Sequence, residues 1–298
     1  MTPVIIEAAL NGATSKARNP HVPTAPDEIA RDAVACMAAG AAIVRNHIDD
    51  FSLTGEIAAA RYLEAWQPII AARPDAILYC TVAIGGAIAE RYAHVPPLAT
   101  SGLMRMGVLD PGSVNLGSPG DDGLPGGFDF VYSHTYGDVR YVVAQLETCR
   151  LGPSISIFEP GFLRTALVYH RRGRLPRGAF VKLYFGGDSS YLGDAAASGV
   201  TFGLPPTLKA LEAYLEMLDG SGLPWAVAVI GGDALESGLA RAALERGGHV
   251  RVGLEDYAGP RRPSNVELVR EVVALAGAVG RPVAGPAEAA ELLGLPRR

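Results

Sequence analysis

Residues 224–256 read PWAVAVIGGDALESGLARAALERGGHVRVGLED. They contain two short runs, Trp225–Ile230 and Val250–Leu254, in which apolar residues follow one another rather than alternate with polar ones. A strand with one wet face alternates, whereas a parallel strand covered on both faces does not. Similar runs occur upstream at Val4–Ala9, Ala41–Val44, Ala76–Val82, Leu103–Leu109, Ser154–Phe158 and Ala179–Phe185. Helical patterns lie between most of them. Pro26–Ala39 follows Thr24, read as its N-cap with Asp27 three residues on, and Thr54–Ala72 is longer. Pro206–Leu218 opens with a proline pair and stops near Gly220, while Ser264 and Glu267 spell a capping box ahead of Val266–Val279. Eight strands with intervening helices predict an α/β chain folded as one (β/α)8 TIM barrel, residues 1–298 forming a single domain. A doubly wound open sheet is the rival, and no GxGxxG follows the first strand to support it. Pro111–Gly127, PGSVNLGSPGDDGLPGG, predicts a long Gly/Pro-rich loop at about 110–127 on the active-site side, with Phe128–Tyr132 as a short extra strand.

Bulk properties narrow the function classes. The 298 residues carry a formal net charge of −5 with dispersed acids, which argues against a nucleic-acid partner, since phosphates call for a basic face. The three cysteines, Cys36, Cys80 and Cys149, form no CxxC pair and are odd in number, so the expected compartment is a reducing cytoplasm. The N-terminus has no basic segment leading into an apolar core, so no signal peptide is expected. No uncharged apolar stretch of about 18 residues predicts a membrane span.

Barrel enzymes carry their reacting groups at the C-terminal ends of the strands. The last run ends in Glu255 and Asp256, with Arg251 four residues before the first. Strand neighbours point to opposite faces, so one carboxylate could bind a cation while the other moves a proton. Arg251 could orient a carboxylate by a bidentate pair. The plainer alternative is an acidic surface cap with an arginine lying past it. After the second run come Arg45, Asn46, His47, Asp49 and Asp50, where His47 is either a ligand or a hydrogen-bonded structural histidine. Glu7 in an apolar strand is costly unless paired, and is read as a paired carboxylate of the barrel interior. Asn11, Gly12 and Thr14 follow it in the turn. The pairs Gly85–Gly86, Gly186–Gly187 and Gly231–Gly232 either approach an anion such as phosphate or merely turn the chain. Tyr132, His134 and Tyr136 either line a pocket or are half-exposed aromatics.

With these residues in view, the chain resembles the β-keto acid cleavage enzymes. The resemblance is carried by NGATSKARNPHVPTAPDEIA (11–30), AGAAIVRNH (39–47), GSVN (112–115), PWAVAVIGG (224–232), GGHVRVGLED (247–256) and SNVELV (264–269). It implies a (β/α)8 barrel, a zinc ion (Zn2+), and usually a homotetramer. The implied reaction condenses a β-keto acid with acetyl-CoA to give acetoacetate and an acyl-CoA. The resemblance also implies that two histidines of an HxH motif and the glutamate of the terminal motif hold the zinc, so His47 and Glu255 match metal ligands. Asp256 matches the base and Arg251 its orienting partner.

Arg45 stands where the first histidine is expected, and an arginine cannot ligate a cation because it stays protonated. Three outcomes are open. A neighbouring group (Asn46, Asp49, Glu7 or a water) completes the shell, or the site binds metal weakly, or Arg45 itself polarises the substrate carbonyl. Further departures are Thr14 in place of an acidic residue, Ser154 and Ser156 in place of two acids of the fifth strand, and Ala83 and Pro111 in place of small polar residues that hold the substrate carboxylate. Arg45, Asn11, Ser113 and Asn115 are the expected substrate contacts. Loss of the two acids suits a keto acid without an amine, since a buried ammonium needs counter-charge. The expected mechanism has Asp256 removing a proton from the methyl of acetyl-CoA, with the carbanion attacking the polarised ketone. The rival functions are a CoA-independent metal-dependent aldolase or lyase acting on a keto acid, and a metal-free ligand-binding barrel.

Overall fold

The computed structural model describes residues 2–122, 124–189 and 202–297. Eight parallel strands form one sheet. In chain order they are β1 (Ile6–Ala9), β2 (Ile43–Arg45), β3 (Ile77–Tyr79), β4 (Met106–Leu109), β7 (Gly152–Ile157), β8 (Phe180–Gly186), β9 (Trp225–Ile230) and β10 (His249–Val252), while β5 (Val114–Pro119) and β6 (Pro125–Tyr132) form a separate hairpin. The order across the sheet is β3-β2-β1-β10-β9-β8-β7-β4. A parallel bridge between Leu78 and Met104 brings its two ends together, and the Arg105 amide donates to the Leu78 carbonyl at 3.0 Å. The sheet therefore closes into the expected barrel, and each expected strand run overlaps one of its staves, with shifts of up to three residues at the ends. All of the staves except the start of β9 are buried, in keeping with their unbroken apolar spelling.

Helices α1 (Pro26–Ala39), α2 (Gly55–Ala72), α3 (Ile88–Arg91), α4 (Val95–Thr100), α5 (Tyr136–Thr148), α6 (Pro160–Arg171), α7 (Leu208–Leu218), α8 (Leu239–Glu245), α9 (Asn265–Val279) and α10 (Pro286–Leu293) complete the described chain. Ser264 caps α9 and Glu267 closes the box, as the spelling predicts. The cap of α1 is one residue later than expected. Ala25 is the N-cap, because Glu28 rather than Asp27 folds back to accept from the amides of Thr24 (2.9 Å) and Ala25 (3.2 Å). Likewise α7 is capped by Thr207, whose hydroxyl accepts from the Ala210 amide, so the proline pair lies just outside the helix. None of the described helices is long and apolar enough to cross a membrane.

Residues 111–127 are not the structureless loop expected from their glycines and prolines. β5 (Val114–Pro119) and β6 (Pro125–Tyr132) pair antiparallel, with Val114 opposite Tyr132 and Leu116 opposite Phe130. The glycines and prolines cluster toward the tip, while the flanks carry enough β-branched and aromatic residues to pair.

Buried amides fasten the strand ends that position the site. Asn265, at the start of α9, accepts from the Leu254 amide and donates to the Leu10 carbonyl, both at 2.8 Å. Thr14 donates to the Leu254 carbonyl at 2.7 Å. At Gly253, with φ +146°, any Cβ would strike the Ala9 carbonyl, so only glycine lets the chain turn here and carry the next residues over the barrel mouth. Replacing Asn265 with Ala orphans two buried backbone groups, and is expected to cost about 2–4 kcal/mol in urea unfolding. A loss well under 1 kcal/mol would show that the clamp is dispensable.

Candidate active site

The barrel interior is charged in two tiers. The deeper tier centres on Glu7 of β1, which is fully buried. Its Oε1 accepts from Tyr79 Oη at 2.5 Å, Arg251 Nη1 at 3.1 Å and Lys182 Nζ at 3.2 Å. Lys182 also contacts the Tyr79 hydroxyl. Burial alone would raise the Glu7 carboxyl, but Lys182 and Arg251 hold it below the usual range. Burial lowers Lys182 to about 8 against the pull of Glu7. Tyr184 of β8 covers this tier, its ring centre 5.1 Å from the Arg251 guanidinium. The reading of Glu7 as a paired interior carboxylate agrees with this arrangement. Lys182, Tyr79 and Tyr184 were not anticipated. Lys182 carries the same signal as Glu7, a charge inside an apolar run.

The upper tier gathers the residues singled out at the ends of β2 and β10. Arg45 Nη1 forms an ion pair with Glu255 Oε1, and His47 Nε2 lies 3.3 Å from the same oxygen. Arg251 Nη2 is 3.2 Å from it. Arg251 also clasps Asp256 through Nε at 2.8 Å and Nη2 at 2.7 Å, a bidentate pair with the carboxylate that the resemblance assigns to it. Burial would raise Glu255, yet Arg45, Arg251 and His47 hold it well below the carboxylate range. For Asp256, burial and the neighbouring Glu255 outweigh the pull of Arg251 and push the carboxyl up. Burial lowers His47.

The donor set does not fit a divalent metal ion. His47 and Glu255 do meet, but none of the groups that could complete a shell joins them. The Asn46 amide is engaged by the His47 carbonyl and the Trp66 indole. Asp49 faces outward to Arg61, and Glu7 belongs to the deeper tier. Among the described residues no three His, Cys, Asp or Glu side chains converge on one point. His47 Nδ1 is buried with no hydrogen-bond partner, whereas a ligating histidine normally donates its second ring nitrogen to an acceptor. A divalent ion about 4 Å from the Arg45 guanidinium would be opposed by about 8 kcal/mol at an effective dielectric near 20.

Two cavities open at this end of the barrel. The inner one, about 150 Å3, has Arg45, His47 and Thr81 on one side, with Phe51, Val82, Ile84, Val108, Leu116, Phe130, Phe158 and Tyr184 forming most of the remaining wall. Thr81 Oγ1 accepts from Arg45 Nη2 at 2.8 Å. The one carboxylate in the described lining, Asp110, accepts from Tyr132 Oη at 2.5 Å. Ser156 also lines this cavity, at one of the two positions where an acid was expected. The outer cavity, about 740 Å3, lies across the hairpin and includes Ser113, Asn115, Glu159, Gly186, Gly187 and Asp188. The expected substrate contacts are therefore divided. Arg45 lines the inner cavity, while Ser113 and Asn115 face the outer one. The Ser113 hydroxyl accepts from the His134 amide at 2.9 Å and donates to the His134 carbonyl at 3.1 Å. Asn11 is committed to backbone: its Oδ1 accepts from the His47 amide at 2.8 Å, and its Nδ2 donates to the Pro23 and His47 carbonyls, each at 3.1 Å. It holds His47 in place, and its amide is used up in doing so. Tyr132 lines the inner cavity and His134 is buried, whereas Tyr136 points to solvent. Asp256 lines a small adjoining pocket with Arg251, Gly232 and Tyr257.

With this geometry established, comparison with known proteins is informative. A family model described as beta-keto acid cleavage enzyme matches residues 3–295. A 3-keto-5-aminohexanoate cleavage enzyme of Fusobacterium nucleatum is 30% identical over 99% of both chains. A 3-oxoadipate:acetyl-CoA acetyltransferase of Cupriavidus necator is 28% identical, covering 99% of this chain and 95% of that one. Among solved structures, a ternary complex of ObcA with a C4-CoA adduct and oxalate superposes with a TM-score of 0.69 at 20% identity, over 93% of this chain and 68% of that one, a likeness of fold. The chain belongs to the beta-keto acid cleavage enzyme family.

Proposed function

We propose that this enzyme moves the acetyl group of acetyl-CoA onto a β-keto acid whose side chain is apolar and uncharged, releasing acetoacetate and a new acyl-CoA. The lining of the inner cavity carries the choice of substrate: a cation and hydroxyls at one side to meet oxygen atoms, and a mostly hydrocarbon wall for the rest. Relatives named with acetyl-CoA, among them the 3-oxoadipate enzyme, a 3-dehydrocarnitine enzyme of Rhizobium meliloti and a 3,5-dioxohexanoate enzyme of Paraburkholderia graminis, support the co-substrate. The same reading takes the enzyme to be a single-domain barrel of the cytoplasm, as its cysteines and strand count suggest, and a homotetramer, as its resemblance implies.

The products dictate which bonds change. For a substrate R–CO–CH2–COO−, acetoacetate forms when the CH2 carbon acquires the acetyl group, so that carbon must lose a proton. Asp256 is assigned as the base, with burial raising its proton affinity and Arg251 fixing its orientation. The carbanion attacks the thioester carbonyl and CoA leaves as thiolate. The thiolate adds to the keto carbon, and the bond from that carbon to CH2 breaks. R–CO–SCoA and the acetoacetate carbanion result, and the proton held by Asp256 returns to the carbanion. Proton removal from the methyl of acetyl-CoA, expected from the sequence, would give acetate instead, so the atom balance replaces it.

Asp256→Asn is expected to lower turnover by about 10²- to 10⁴-fold with an unchanged circular dichroism spectrum. Because the base acts ionised and its carboxyl is raised, wild-type kcat/KM is expected to fall as pH drops through a value above that of an ordinary aspartate. Half or more of the activity surviving in the variant would remove Asp256 from the mechanism. In a substrate panel, straight-chain alkyl β-keto acids are expected to exceed their 5-amino counterpart at least about tenfold in kcat/KM, because a buried ammonium would lack adequate counter-charge. A preference for the amine would overturn the apolar reading. Cleavage that needs no acetyl-CoA would favour a lyase.

A further inference from the structure

We propose that the Arg45 guanidinium takes the place of a metal ion as the electrophile of this site. The inference rests on the acyl-transfer reading above and adds what polarises the keto oxygen. Arg45 ends β2 at the barrel mouth and lines the inner cavity. Its position is fixed from two sides, by Glu255 through Nη1 and by Thr81 through Nη2. Its cationic fork is therefore held in one orientation before substrate arrives. Glu255 is likewise drawn to arginine: two guanidinium groups and His47 surround the oxygen that would otherwise hold a metal.

The chemistry asks for positive charge at one atom throughout. When the CH2 carbon loses its proton, negative charge spreads onto the keto oxygen. When thiolate adds to the keto carbon, the same oxygen becomes an alkoxide. It returns its electron pair as the carbon–carbon bond breaks. A fixed guanidinium donating hydrogen bonds to that oxygen stabilises both species and gives up no proton, since arginine stays charged. No redox partner or further reactant is needed.

The test combines metal content with activity. Purified wild-type enzyme dialysed against a chelator is expected to contain no stoichiometric zinc by mass spectrometry, to take up none from added zinc, and to keep its full turnover. Arg45→His restores the HxH spelling at the end of the second strand. It is expected to bind one zinc per chain in a competition titration with a chromophoric chelator, a readout independent of activity. Arg45→Lys keeps the charge without the planar fork. It is expected to lose about 10²-fold or more in kcat, with KM changing much less and the thermal midpoint held. Wild-type enzyme that binds one zinc per chain and loses activity on its removal would overturn the proposal, as would an Arg45→Lys variant within threefold of wild type. If no β-keto acid is turned over by the wild type, the acyl-transfer reading fails, while the zinc titrations still decide whether Arg45 excludes a metal.

Discussion

A charge removed from water must meet its opposite, and the interior of this barrel is organised around that requirement. Three cations (Arg45, Lys182 and Arg251) and three carboxylates (Glu7, Glu255 and Asp256) are buried there. Arg251 joins the two tiers, touching Glu7 below and both Glu255 and Asp256 above. Losing one partner of such a buried pair is far more damaging than replacing both, because it leaves a charge uncompensated. The chain therefore has little freedom to change any one of the six alone. Asn265, Thr14 and Gly253 fasten the exit of β10, the strand end that carries Glu255 and Asp256 to these pairs.

The same constraint connects the family resemblance to the departure at position 45. A histidine there would leave Glu255 and His47 free to share a divalent ion. An arginine instead brings a permanent cation to the carboxylate, and the local charge is satisfied without one. Asp256 and Arg251, which the resemblance pairs as base and orienting partner, are joined by two hydrogen bonds. The acidic positions of the fifth barrel strand are serines, with Ser154 fully buried and Ser156 facing the inner cavity. The scaffold and the Arg251–Asp256 pair match the family pattern, while position 45 and the two serine positions of the fifth barrel strand depart from it.

Much of this was legible in the sequence because burial leaves a direct mark on it. Unbroken apolar runs gave the staves, and a carboxylate inside one of them, Glu7, could be read as paired. Lys182 bears the same mark within Ala179–Phe185, yet its partners lie on β1 and β3, more than a hundred residues away, and spacing alone does not reveal them. The roles of Asn11 and Asn265 were hidden for a related reason. A buried amide that satisfies backbone groups looks the same in sequence as one that binds substrate. Ser113 and Asn115 line a different cavity from Arg45 because the segment that carries them is a hairpin, and the two faces of a hairpin look onto different spaces.

That hairpin has a thermodynamic consequence. A two-stranded ribbon is barely stable alone in water. Here its order depends on Leu116 and Phe130 lining the cavity and on Tyr132 packing against the Phe158 ring, 6.0 Å between centres. The ribbon forms part of the chamber wall, so a molecule filling the chamber also gives the ribbon something to fold against. Occupancy and local folding are then linked: tighter binding stiffens the ribbon, and a looser ribbon weakens binding by the free energy needed to order it. Affinity for whatever fills the chamber therefore depends on the order of the whole ribbon as well as on the side chains that line the wall.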